Sequence, residues 1–136
     1  MKINILLAED QKLMRIGIKS LFNDYPDMEI IGEAANGKEA VEKAKLIKPD
    51  IVLMDLGFPD ISGIDATKQI LEHNNSVRVI ALTSHITEEE VNASLQAGVS
   101  AYVVKDIPTG SVVVGNPSRV ISQRGAEYVS KYLRWK

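Results

Sequence analysis

Apolar runs that alternate with helix-patterned stretches, each run ending on a polar residue, most strongly constrain the fold of this chain. The runs are INILLA, DIVLM, VRVIAL and AYVV, and they end at Glu9-Asp10, Asp55, Thr83-Ser84 and Lys105. DIVLM shows no in/out alternation, as expected of a strand covered on both sheet faces. A further strand fits Met28 to Ala34. Between the strands, apolar residues recur at helical spacing, as in Leu13, Met14, Ile16, Ile18, Leu21 and Phe22. Strand–helix alternation implies a parallel sheet with right-handed crossovers. Five strands in this rhythm predict an α/β, flavodoxin-like, doubly wound sheet of order 2-1-3-4-5, with the switch point between the first and third strands. Glu9, Asp10, Asp55, Thr83 and Lys105 would then meet at one sheet edge, where open α/β sheets bind ligands.

Local signals set the helix ends. Asp24-Tyr25-Pro26-Asp27 closes the first helix, which the spacing places over Gln11 to Asn23. The second runs from Lys38 to Ile47 and stops at Lys48-Pro49, because a residue before proline is pushed out of the helical region. The third spans about Ile64 to Glu72. Thr87 and Glu90 form a capping-box pattern for the fourth, and Gly98 ends it.

Composition narrows the chemistry. The 136 residues suit one domain with a real core. A net charge of −2 argues against a polyanion binder. The absence of cysteine excludes disulfides and thiolate-bound zinc, and His73 and His85 lie too far apart to signal a metal site. With no signal peptide or membrane-length apolar run, the expected location is cytoplasmic, with no membrane partner.

Three carboxylates a few ångströms apart repel by about 4 kcal/mol per pair at an effective dielectric near 20. Such a cluster needs a cation, and hard oxygen ligands without histidine or cysteine suit Mg²⁺. Lys105 would add a fixed positive charge. A carboxylate in this setting is suited to attack phosphorus, with neutralisation and positioning supplying most of the catalysis. The Thr83 hydroxyl could donate to a phosphoryl oxygen. Each residue alone has an ordinary explanation: acids cap helices, lysines solvate surfaces, and Tyr102 is a strand aromatic. The combination is more specific than its parts.

The segments ILLAED, PDIVLMDLGFPDISGIDA, VIALTSH and AGVSAYVVKD carry a family resemblance. Residues 1–107 resemble the receiver domain of bacterial two-component response regulators. KD after the last strand, in place of the commoner KP, resembles the subgroup that usually carries a helix-turn-helix output domain. The resemblance implies Asp55 as phosphoacceptor, with Glu9, Asp10, Asp55 and the Gly57 carbonyl around Mg²⁺. Asp10 would be the direct ligand and Glu9 would act largely through water. Thr83 and Lys105 would contact the phosphoryl group. Tyr102 would turn inward as Thr83 is drawn toward the phosphate. Pro59 and Gly63 would shape the loop after Asp55, and Gly57 and His85 occupy positions that tune phosphoryl lifetime. A sensor histidine kinase or phosphotransfer protein would be the donor. Catalysis would be limited to self-phosphorylation and dephosphorylation, so the chain is expected to be a switch and not an enzyme in the usual sense.

Residues 108–136 break the pattern, where a receiver should finish with an amphipathic helix. Gly110, Gly115 and Pro117 interrupt any helix, and Val112-Val113-Val114 favours strand. IPTGSVVVGNPSRVIS resembles the end of the left-handed β-helix in hexapeptide-repeat acyltransferases, which suggests a chimera. The rest of the chain lacks the repeat, so no acyltransferase activity is inferred. From about Ser118 to Trp135 the spacing allows a helix, with Tyr128, Tyr132 and Trp135 as an aromatic stripe. It could replace the missing last helix or, if exposed, support a homodimer. No DNA-binding domain is recognised in this chain. The rival functional expectation is a receiver-like interaction module whose switching is impaired, or a chimera without native output.

Overall fold

The computed structural model describes residues 2–83, 87–104, 111–114 and 119–122, the last two stretches at the level of backbone pairing. Five strands form the parallel body of the sheet: β1 (Ile3–Ala8), β2 (Met28–Ala34), β3 (Ile51–Asp55), β4 (Arg78–Thr83) and β5 (Ala101–Val104). Their spatial order is β2-β1-β3-β4-β5, as the alternation predicts. Helices α1 (Lys12–Leu21), α2 (Gly37–Ile47), α3 (Gly63–His73) and α4 (Glu88–Ala97) connect them.

Strand alternation distributes the core. Leu6, Ala8, Val52, Met54, Val79 and Ala81 face one side and pack with Ala40, Val41 and Ala44 of α2, Ala66 and Ile70 of α3, and Val91 of α4. Ile5, Leu7, Ile51, Leu53, Ile80 and Leu82 face the other side, where Ile18 of α1 and the following Phe22 and Tyr25 pack. Both faces being covered explains why the central strands are apolar throughout.

The helix ends follow sequence chemistry. Asn36 caps α2 by accepting the Glu39 amide at 2.8 Å, and Thr87 caps α4 by accepting the Glu90 amide at 3.1 Å. Lys48, held out of the helical region by Pro49, takes φ 48° and ends α2. Gly98 ends α4 at φ 106°, its amide and that of Val99 closing on the Ser94 carbonyl.

Two further strands extend the sheet beyond the expected five. β6 (Ser111–Val114) pairs antiparallel with β5, and β7 (Arg119–Ser122) pairs antiparallel with β6. The strand preference of the valine run is thus expressed. Arg119–Ser122 corrects the expectation of a helix beginning at about Ser118: Arg119, Val120 and Ser122 pair with Val114, Val113 and Val112 of β6, with a register shift at Ile121. The aromatic stripe of the tail lies outside the described residues.

Candidate functional site

The C-terminal ends of β1 and β3 bring the predicted acids together. One carboxylate oxygen from each of Glu9, Asp10 and Asp55 lies within 4.8 Å of the others. Glu9 is fully buried and Asp55 nearly so, whereas Asp10 is exposed. Three hard oxygen donors at this separation, with no nitrogen or sulfur ligand among them, fit a small divalent cation such as Mg²⁺.

The loop after Asp55 is tied down at several points. The Gly57 amide donates to Asp55 Oδ1 at 3.0 Å. The Gly63 amide donates to the Leu56 carbonyl at 3.2 Å, closing the loop. A Cβ on Gly63 would stand 2.1 Å from the Asp55 carbonyl oxygen, so this close approach requires glycine. Ser62 caps α3 through the Asp65 amide at 3.1 Å. Asp60 reaches across to the start of α2, where its two oxygens accept the Gly37 and Lys38 amides at 3.0 and 2.8 Å. The two amides, Lys38's foremost, hold the Asp60 carboxyl below its ordinary value near 3.8, against a smaller opposing effect of desolvation. Gly37 packs against Ile61, where a Cβ would meet the carbonyl oxygen at 2.5 Å. The loop after Asp55 and the start of α2 are therefore one joined unit.

The other flank is made of hydroxyl groups. Thr83 ends β4, is largely buried, and pairs in register with Val104 of β5. Two residues earlier on the same face, Ala81 pairs with Tyr102. Thr83 and Tyr102 are thus diagonal neighbours on the side that carries α4. Tyr102 is 1% exposed, and its hydroxyl donates to the Val91 carbonyl at 3.1 Å, with Glu90's at 3.4 Å. In this structure the ring already occupies the inward position. Burial raises the Tyr102 hydroxyl above its usual pKa; a hydrogen bond with Ser94 opposes this and the Glu90 charge adds to it.

Glu9, Asp10, Asp55, Gly57 and Thr83 lie at the C-terminal edge of the sheet, and Tyr102 lies on the α4 flank beside it. Lys105 and His85 lie outside the described residues. Sequence reasoning missed Arg15 and Asp60. Arg15 Nη1 donates to the Glu9 carbonyl at 2.7 Å. The available signal was its place in the first turns of α1, where side chains lean toward the helix start and so toward Glu9. Asp60 carried no comparable local signal, because its partners lie on a different element.

Comparison with known proteins agrees with this geometry. The family model for the response regulator receiver domain matches residues 5–114. Response regulator protein VraR of Staphylococcus aureus is 44% identical over 105 residues, covering 77% of this chain and 50% of that protein. The chain thus spans about half the length of the curated relatives it matches. Among solved structures, a LuxR-family two-component response regulator from Aurantimonas sp. SI85-9A1 is 32% identical with a TM-score of 0.74, over 77% of this chain and 75% of that one. The response regulator domain of Thermotoga maritima CheB is 31% identical with a TM-score of 0.80, over 99% and 96%. No helix among the described residues is long and apolar enough to cross a membrane. From the β2-β1-β3-β4-β5 sheet, the acid cluster at its edge and a match over most of its length, this chain belongs to the response regulator receiver domain family.

Proposed function

We propose that the chain is a phosphorylation-dependent switch in which Asp55 accepts a phosphoryl group. The observation that carries the reading is the convergence of Glu9, Asp10 and Asp55 within 4.8 Å at the sheet edge. Glu9, Asp10, Asp55 and the Gly57 carbonyl are the groups proposed to hold Mg²⁺, with Asp10 the direct ligand and Glu9 acting through water. A bound Mg²⁺ neutralises charge on the transferring group. Asp55 supplies the attacking oxygen: its new bond to phosphorus forms as the bond to the donor's leaving group breaks, and the leaving group keeps the electron pair. The Gly57 amide on Oδ1 helps to fix the orientation of the Asp55 carboxylate. Thr83 and Lys105 are proposed to receive the phosphoryl oxygens. The donor class is a sensor histidine kinase or phosphotransfer protein.

The consequence follows from the register. A phosphoryl group adds about −1.5 to −2 charges at the end of β3. Drawing the Thr83 hydroxyl toward it changes the packing beside Tyr102, whose hydroxyl rests on the first turn of α4. A partner that prefers one arrangement of this face reads the state.

The test is incubation of the whole chain with Mg²⁺ and acetyl phosphate, followed by intact mass measurement. One added phosphoryl group, absent with chelator and absent in Asp55→Asn, is the expected result. A folded wild type that gains no mass, or an Asp55→Asn variant that gains as much, would overturn the proposal.

A further inference from the structure

We infer that Arg15 is a positioning residue for the acid cluster, holding the Glu9–Asp10 peptide through the Glu9 carbonyl. The bond is 2.7 Å and charge-assisted, a class roughly twice as strong as a neutral one. The Glu9 amide on the same residue donates to Ala34 of β2 at 2.9 Å. Glu9 is therefore gripped on both sides, by β2 through its N–H and by α1 through its carbonyl. The Glu9 carbonyl and the Asp10 amide belong to one planar unit. Fixing that plane fixes how the chain turns from a buried carboxylate to an exposed one while both still meet Asp55.

Arg15 is itself held. Its side chain is only 17% exposed, and its Nε lies 3.4 Å from Glu33 Oε1. Glu33 is in turn flanked by Lys19, at 3.1 Å, and its carbonyl accepts from Lys43. The planar guanidinium can serve Glu9 and Glu33 at once in fixed directions, which a lysine ammonium cannot reproduce. The rival account is that Arg15 merely joins α1 to β2 through Glu33. The two accounts differ in what Glu33 should matter for.

The inference rests on the cation reading above, and the test separates the two. Mg²⁺ affinity is measured calorimetrically on the full chain for wild type, Arg15→Gln, Arg15→Lys and Glu33→Gln. Thermal melting and exchange of the Asp10 amide are followed in chelator. Groups that orient metal ligands typically contribute 10–100-fold to affinity. We expect Arg15→Gln to weaken Mg²⁺ about tenfold or more and to speed Asp10 exchange. Arg15→Lys should recover part of the loss, because it returns charge without the planar geometry. Glu33→Gln, which leaves the Glu9 bond intact, should stay within about twofold of wild type, in line with the small worth of partly exposed ion pairs. Equal affinities in wild type and Arg15→Gln would overturn the inference, as would a Glu33→Gln loss as large as that of Arg15→Gln. If Arg15→Gln does not fold, Arg15→Lys decides: wild-type affinity overturns the inference, and weaker binding at a near wild-type melting temperature supports it. No Mg²⁺ binding by wild type would sink the cation reading itself.

Discussion

The two flanks of the site are built from different bonds. On the β1–β3 side, the loop after Asp55 is fastened by amide hydrogen bonds, from Gly57 to the Asp55 carboxylate, from Gly63 to the Leu56 carbonyl and from the start of α2 to Asp60, and by Gly63 and Gly37 packed against backbone. On the β4–β5 side, Tyr102 is linked to α4 through its hydroxyl and the packing of its ring. Backbone contacts at glycine leave no alternative rotamer. A hydroxyl can exchange one carbonyl for another at little cost, since a net hydrogen bond contributes only about 1 kcal/mol. The first flank is suited to hold charge in place, and the second to change state when that charge alters.

The largest expected effect breaks the fixed flank. Gly63→Ala places a Cβ 2.1 Å from the Asp55 carbonyl, so the loop must move or the chain unfold. We expect a loss of about 3 kcal/mol or more in urea denaturation, at the upper end for overpacking, together with weaker Mg²⁺ binding. A loss below about 1 kcal/mol would mean that the loop adapts and is not fixed.

Removing the Tyr102 hydroxyl sharpens the contrast. Tyr102→Phe keeps the ring and loses the bond to the Val91 carbonyl, which should lower stability by about 1 kcal/mol. The decisive readout is selective: hydrogen exchange should quicken in α4 while α2 and the loop after Asp55 remain as in wild type. Faster exchange throughout would erase the distinction between the flanks. On the fixed side, Asn36→Ala removes the bond to the Glu39 amide and should cost about 1 kcal/mol by the same denaturation assay.

The smallest expected effect is the acid response of Asp60. Its folded carboxyl titrates below the ordinary value near 3.8, so it stabilises the fold above that pH and loses the contribution as pH falls through the lowered value. Melting temperature followed from pH 6 downward should therefore fall less steeply below about pH 4 in Asp60→Asn than in wild type. Parallel acid limbs would remove Asp60 as a link between the loop and α2.

Much of this arrangement was legible because strand ends are legible. Glu9, Asp10, Asp55 and Thr83 each terminate an apolar run, and parallel topology alone brings such termini together. Tyr102 came from its place in the β5 motif. Arg15 and Asp60 were not legible, since a charged residue on a helix or loop looks solvated until its backbone partner on another element is known. Asp50 is similar: its carboxylate accepts the Asn4 amide at 2.8 Å, across 46 residues of sequence. Arg119–Ser122 failed for a related reason. A four-residue strand has little periodicity of its own, and its β6 partner decides the outcome.

We propose that phosphorylation of Asp55 is read on the α4–β5 flank and not on the α2 flank. Hydrogen exchange with mass spectrometry, on the full chain with and without the phosphoryl group and with Asp55→Asn as control, tests it most directly. The expected result is changed protection in residues 87–104, unchanged protection in residues 36–47, and no change in Asp55→Asn. Unaltered exchange over 87–104 in fully phosphorylated protein, or equal changes on both flanks, would contradict it.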